Sequence, residues 1–287
     1  MEPGTLYLCA TPIGNLEDIT LRVIRTLKEV DLIAAEDTRN SMKLLTHFDI
    51  HTPITSYHKN NRYDKAETLV NKLLDGQSIA LITDAGMPCV SDPGEELARI
   101  ATENGITVTV LPGACAAVTA LALSGLSTGR FCFEGFLPGT KKERKALLEK
   151  LRAETRTLIL YEAPHHLTAT LKDLLEALGN RKISVCRELT KVHETVLRTT
   201  LSEAVAFYEA TPPKGECVLV LEGADESLLV ENERAKWQEL SIPEHMELYL
   251  SKGMDKKEAM KAVAKDRGVP KQEVYRACLE GDPGKRS

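Results

Sequence analysis

Aromatic side chains are scarce in this 287-residue chain, at 5% with a single tryptophan, which leaves little material for an extended base-stacking surface. Long apolar runs are missing too. The longest, Ala114 to Leu126, is 13 residues and is interrupted by Cys115, Thr119, Ser124 and Gly125, well short of the roughly 20 that span a bilayer. Met1 to Ala10 lacks the basic flank and apolar core of a signal peptide, so a cytoplasmic protein without membrane attachment is expected. The seven cysteines never approach closer than 17 residues. That excludes a C-x-x-C metal or redox pair and predicts buried, reduced thiols. Neither G-x-G-x-x-G after the first strand nor G-x-x-x-x-G-K-[ST] occurs, so NAD or ATP in their usual cradles are excluded. Gly125 to Gly129 matches G-x-S-x-G but follows a predicted helix and precedes a predicted strand, the reverse of a nucleophile elbow.

What remains is folded globular material. The chain is 43% hydrophobic and 28% charged, and its length suits about two domains with sizeable cores. Up to residue 125, short apolar runs alternate with amphipathic ones: Leu6–Ala10 then Ile19–Val30, Leu32–Ala35 then Arg39–Phe48, Ile54–Tyr57 then Lys65–Leu74, Ser78–Thr83 then Glu95–Asn104, Thr107–Leu111 then Ala114–Ser124. This βα repeat predicts a doubly wound parallel sheet covered on both faces. A second α/β domain is expected over 126–225, with more closely spaced strands and therefore a mixed sheet. A small helical domain is expected over 226–287, ending in a helix-turn-helix-like pair at Lys256–Asp266 and Lys271–Leu279. In that pair Asp255 suits the first N-cap, Gly268 a left-handed C-cap and Pro270 the first turn of the next helix.

Four polar loops fall at the carboxyl ends of predicted strands, where ligands of such sheets bind. They are Thr11 to Leu16, Glu36 to Arg39, Asp84 to Pro88 and Pro112 to Cys115. Together they predict one cleft in which glycines allow close approach, and Glu36 or Asp84 accept hydrogen bonds from ribose hydroxyls or an amino group. The second block adds Tyr161 to His166 and Arg187 to Glu194. Adjacent histidines with no third ligand at close spacing do not make a metal site, and none is expected.

Net charge is −5, against indiscriminate nucleic-acid binding, but it is unevenly spread. From Lys252 onward there are ten Lys/Arg and six Asp/Glu, and between Gly139 and Arg156 there are seven against three. Each excess fits either a solvated face or contacts to an RNA backbone. The terminal helix pair also fits a packing or dimerisation role. Tyr57, Tyr63, Phe136 and Tyr161 are the aromatics available to stack on bases.

The blocks TPIGNLEDIT, AAEDTR, LITDAGMPCVSDPG, LPGACAAVTALALSGL, FCFEGFLP, LILYEAPHH, RELTKVHET and KGECVLVLEG, in this order, resemble the ribosomal RNA small subunit 2′-O-methyltransferase I family. That family is a branch of the tetrapyrrole-methylase-like, class III S-adenosylmethionine enzymes. The resemblance spans about residues 5 to 280. It implies two α/β domains of the tetrapyrrole methylase type with a C-terminal helix-turn-helix-like domain, S-adenosyl-L-methionine as cofactor, and a homodimer. It also implies methyl transfer to the ribose 2′-hydroxyl of a decoding-centre cytidine in 16S rRNA of the small ribosomal subunit. By position, cofactor contacts fall on Pro12, Ile13, Asp84, Ala85, Gly86, Met87, Pro112, Gly113, Ala114, Cys115 and Tyr161. Arg39, His165 and Arg187 fall on the acceptor side, and Asp37, Glu188 and Lys191 are the candidate catalytic groups. Met87 stands where this family often has threonine, so a side-chain hydroxyl is missing there. A small-molecule methylase of the tetrapyrrole type and a non-catalytic RNA-binding protein are the alternatives; the first gives the basic terminal helices no role, the second leaves the cleft idle.

Overall fold

A computed structural model describes residues 2–227, 230, 237 and 240–280. The apolar runs of the first half become β1 (Thr5–Cys9), β2 (Leu32–Ala35), β3 (Ile54–Ser56), β4 (Ile79–Ile82) and β5 (Thr107–Leu111). They form one parallel sheet in the order β3-β2-β4-β1-β5. The intervening helices are α1 (Leu21–Glu29), α2 (Thr38–His47), α3 (Arg62–Leu74) and α4 (Gly94–Glu103). Val23 and Leu27 of α1 and Leu45 of α2 bury one face of the sheet. Ala66, Leu69 and Leu73 of α3 and Leu97 and Ala101 of α4 bury the other. Because both faces are covered, β4 is buried at every position, as a continuous apolar run requires.

The fifth helix, α5 (Ala116–Ser124), departs from this scheme. It is apolar all round, the signature of a helix enclosed on several sides, and it lies against the second sheet: Ala117, Ala120 and Leu121 pack on Ile159, Cys186, Val218 and Val220. Gly125, left-handed at φ 75°, ends it.

The second sheet is built from β6 (Phe131–Phe136), β7 (Thr157–Glu162), β8 (Lys182–Arg187), β9 (Thr195–Thr200) and β10 (Cys217–Leu221), in the order β6-β7-β10-β8-β9. The β6–β7 pair is parallel and the other three pairs antiparallel, so the sheet is mixed as expected. Its other face is covered by α6 (Lys141–Leu151), α7 (Leu167–Leu178) and α8 (Leu201–Ala210), through Leu148, Leu151, Leu171, Leu174 and Leu201. Both sheets belong to one compact unit, residues 2–152 and 156–222.

A second unit, residues 153–155 and 223–280, contains the terminal helices. Besides the foreseen pair, now α10 (Lys256–Arg267) and α11 (Lys271–Glu280), it has α9 (Ile242–Leu250). That helix is additional to the expected pair, although the sequence carries its signal. Ser241 and Glu244 form a reciprocal capping box and Pro243 sits in the first turn. Asp255 accepts the Lys257 and Glu258 amides, and Gly268 turns the chain at φ 65°. Met246, Ala259, Val263 and Val274 make the small core.

Candidate functional site

The strands β1 and β4 are neighbours whose outgoing helices, α1 and α4, cover opposite faces of the sheet. Such a switch point leaves a crevice beyond the carboxyl ends of the strands. Here the loops after β1 and β4 meet across it: the Thr11 amide donates to the Gly86 carbonyl at 2.9 Å and the Gly86 amide to the Thr11 carbonyl at 3.1 Å. The buried Thr11 hydroxyl adds a bond to the Thr83 carbonyl at 3.1 Å. Gly86 adopts φ +86°, and a Cβ there would lie 3.1 Å from Ile13 Cγ2, so glycine is needed both for the backbone and for the space.

The crevice opens into a cleft of about 330 Å³ lined by Thr11, Pro12, Ile13, Asn40, Lys43, Asp84, Ala85 and Lys191, among others. Its size falls in the range of ~300–1,000 Å³ usual for small-molecule sites. A recess of about 60 Å³ continues it past Ile13, Ala85, Ala116, Glu188 and Glu216. The far wall comes from the second sheet. After β8 the backbone takes left-handed conformations at Glu188 (φ 51°) and Thr190 (φ 66°), uncommon for non-glycine residues and a form of local strain concentrated at functional sites. This turn lays Lys191 beneath the first loop, so closely that a Cβ on Gly14 would be 2.5 Å from Lys191 Cγ and 3.0 Å from the Leu189 carbonyl. The Lys191 ammonium pairs with Glu188 Oε1 at 3.0 Å.

Three carboxylates stand at the ends of β2 and β4. Burial, and then the neighbouring Glu36, push the Asp84 carboxyl above its ordinary value. Asp84 Oδ1 accepts the Asp37 amide at 3.1 Å, while Glu36 accepts the Thr83 hydroxyl at 2.8 Å. Asp37 behaves in the opposite way. Hydrogen bonds from Arg39, including the Arg39 Nη2 to Asp37 Oδ2 contact at 2.9 Å, hold its carboxyl below the ordinary range.

Of the expected cofactor contacts, Pro12, Ile13, Asp84 and Ala85 line the cleft, and Gly86 braces it from behind. Met87 is half-buried and outside both linings. Pro112 to Cys115 lie one step back: Gly113 abuts Ala10, and Cys115 precedes α5. Tyr161 reaches the same region from β7, its hydroxyl accepting the Ala117 amide at 3.2 Å. Burial pushes that hydroxyl up to about 12.

On the acceptor side, Glu188 and Lys191 are brought to the cleft, whereas Asp37 and Arg39 form an ion pair outside its lining. His165 is exposed, its ring 4.1 Å from that of His166. Arg187 faces Tyr208 and Cys217, partly offsetting the burial that raises both groups, Cys217 to about 12. Residues missed from the sequence are Asn40 and Lys43, in the first turns of α2, and Glu216 before β10. Helical spacing after Asp37 points positions 40, 41 and 44 to one side, and that was the usable signal. Among the described residues no cluster of His, Cys, Asp and Glu suits a metal, and no helix is long and apolar enough to cross a membrane.

Comparison with known proteins accords with this geometry. The family model for tetrapyrrole (corrin/porphyrin) methylases matches residues 5–205. The chain is 54% identical over 274 residues to a protein of Halalkalibacterium halodurans named ribosomal RNA small subunit methyltransferase I, covering 96% of this chain and 94% of that one. It is 48% identical over 276 residues to the protein of the same name from Bacillus subtilis, with coverage of 96% and 94%. Among solved structures, uroporphyrin-III C-methyltransferase of Thermus thermophilus in complex with S-adenosyl homocysteine superposes with a TM-score of 0.55 at 19% identity, over 76% of this chain and 97% of that one. With full-length likeness to the first two and the shared fold of the third, the chain belongs to the ribosomal RNA small subunit methyltransferase I family of the tetrapyrrole methylases.

Proposed function

We propose that this protein transfers the methyl group of S-adenosyl-L-methionine to the ribose 2′-hydroxyl of a decoding-centre cytidine in 16S rRNA of the small ribosomal subunit. The observation that carries the reading is the full-length likeness to relatives named for methylating small-subunit rRNA. The residues of the cleft suit the cofactor. Gly86 leaves space beside Ile13 that a Cβ would fill, and its exchange of amide hydrogen bonds with Thr11 fixes the two loops that line the cleft. Asp84 in the lining is an acceptor for an amino group or ribose hydroxyls. When bound, the sulfonium supplies an activated methyl group, so the chief task left to the protein is alignment, which is worth up to ~7–11 kcal/mol of barrier.

The acceptor oxygen must also lose a proton. Asp37, paired with Arg39, lies outside the lining of the cleft and its recess. Glu188, a carboxylate lining the recess, takes that proton, and the Lys191 ammonium, hydrogen-bonded to it at 3.0 Å, orients the hydroxyl oxygen. RNA meets the exposed Lys141, Lys142 and Lys145 of α6, and Lys256, Lys257, Lys261, Lys271 and Arg276 of the terminal helices. Arg144 is withdrawn from that role by its 2.6 Å pair with Asp173. A homodimer belongs to the same proposal, with the half-exposed Val110 of β5 and Val118 of α5 as apolar surface for a second copy.

The test is to incubate the protein with methyl-labelled S-adenosylmethionine and small subunits lacking the modification, then digest the RNA to nucleosides. Label in 2′-O-methylcytidine is expected. Cofactor binding with no labelled RNA, under conditions where another rRNA methyltransferase labels it, would favour a small-molecule acceptor.

A further inference from the structure

Of the four aromatics available for stacking, the structure withdraws two and screens a third. Tyr57 is 1% exposed. Tyr161 is held by its bond to the Ala117 amide and by Phe133, 4.9 Å away in an edge-on contact. Tyr63 is exposed, but the Arg62 guanidinium sits over its ring at 4.8 Å. Phe136, last residue of β6, is different: it is 58% exposed and stands beside Tyr161 with ring centroids 5.6 Å apart.

Its presentation is built into the strand. The β6–β7 register shifts between Phe133 and Gly135, a bulge that re-aims the following side chain. Gly135 takes φ +62° and lies against the Ser91 hydroxyl, 3.1 Å from where its Cβ would be. That contact anchors the bulge to the segment after the Asp84 loop. Leu137, the next residue, is buried in the second core. One neighbour is thus locked in a turn and the other in the core, while the ring between them faces outward.

The surroundings favour a nucleic acid over an apolar partner. α6 begins five residues later and presents Lys141, Lys142 and Lys145 to solvent. His165 and His166, also exposed, follow the adjacent strand at the same end of the sheet. Inward, Tyr161 contacts the start of α5, whose Ala116 lines the recess shared with Glu188 and Lys191. A ring on a rigid mount, cations on one side and the candidate reaction centre on the other, suits an unpaired base whose ribose points inward.

We propose that Phe136 is the platform on which a base of the substrate RNA stacks, positioning the acceptor ribose at the Glu188–Lys191 recess. This inference rests on the RNA-methylation reading above. The test compares wild type with F136A, F136Y, F136W and F136L on small ribosomal subunits. Steady-state methyl transfer, S-adenosylmethionine affinity by calorimetry and oligomeric state by light scattering are measured for each. F136A is expected to lower kcat/KM for the subunit about tenfold or more, with cofactor affinity and oligomeric state unchanged. F136Y and F136W restore it, and F136L, apolar without a flat ring, does not.

Recovery by F136L, or a kcat/KM for F136A equal to wild type, overturns the stacking role. A loss in F136A that tracks dissociation into monomers overturns it too, and assigns the ring to an interface between copies. Wild-type protein that binds the cofactor yet labels no RNA overturns the functional reading and this inference with it, which separates the two failures.

Discussion

The two walls of the cleft are made differently. The first-sheet wall is a set of backbone contacts between short loops, with Thr11 and Gly86 exchanging amide hydrogen bonds and glycine where a side chain would collide. The second-sheet wall is one strained turn that delivers charged side chains, Glu188 and Lys191. Backbone recognition tolerates side-chain change and reads shape; a charged pair does chemistry and fails when either member is removed. In the function proposed above, the first wall holds the cofactor and the second carries the acceptor chemistry.

The harshest way to break this division is to force the walls apart. Gly14→Val places carbon against the Lys191 stem and the Leu189 carbonyl. A displacement near 1 Å at the reacting groups costs about a hundredfold in turnover, so single-turnover transfer should fall by that order. Retained turnover would mean the walls are less interdependent than their contact implies.

Removing residues 223–287 acts outside both walls. Cofactor affinity should be unchanged, while RNA binding weakens and its salt dependence flattens by about 0.7 log units for each phosphate no longer neutralised. An unchanged slope in filter binding across salt would demote the terminal helices to packing. Asp37→Asn sharpens the assignment from the other direction. It breaks a pair outside the lining of the cleft, so turnover should change little; a large loss would return Asp37 to the catalytic set.

The smallest effect expected is on the second unit alone. His245 is fully buried between Trp237 and Tyr249, with Asp266 at 3.5 Å and Arg267 donating to its Nδ1. Burial, and then Arg267, lower its pKa from 6.5. The unfolded chain therefore takes up the proton first as pH falls. Stability from the neutral ring is complete above 6.5 and declines as pH drops through the folded-state value. Thermal melts of the full chain between about pH 7.5 and 5 should show this loss, and His245→Phe should flatten it.

Much of the fold was legible because apolar period and turn residues agree along the chain: each expected strand from Leu6 to Leu111 is present within a residue of its expected limits, and the second sheet is mixed as expected. The destination of α5 was not. A helix that is apolar all round does not say which sheet it covers, and it covers the second. The site was legible as loops but not as contacts. Nothing in sequence separation places Gly14 against Lys191, because the left-handed backbone at Glu188 and Thr190 that brings them together occurs at non-glycine residues. Arg187 precedes Glu188, yet it turns toward Tyr208 instead of the cleft, since alternation along β8 puts it on the face of Ile183 and Val185, which pack with Tyr208.

The division of labour is tested most directly on Lys191→Ala. S-adenosylmethionine affinity is measured by calorimetry beside single-turnover methyl transfer on saturating small subunits. Affinity should stay within about twofold of wild type while transfer slows by about a hundredfold, as expected when the acceptor hydroxyl and Glu188 lose the group that aligns them. Cofactor affinity that falls in step with transfer would contradict it, and would move Lys191 to the cofactor wall.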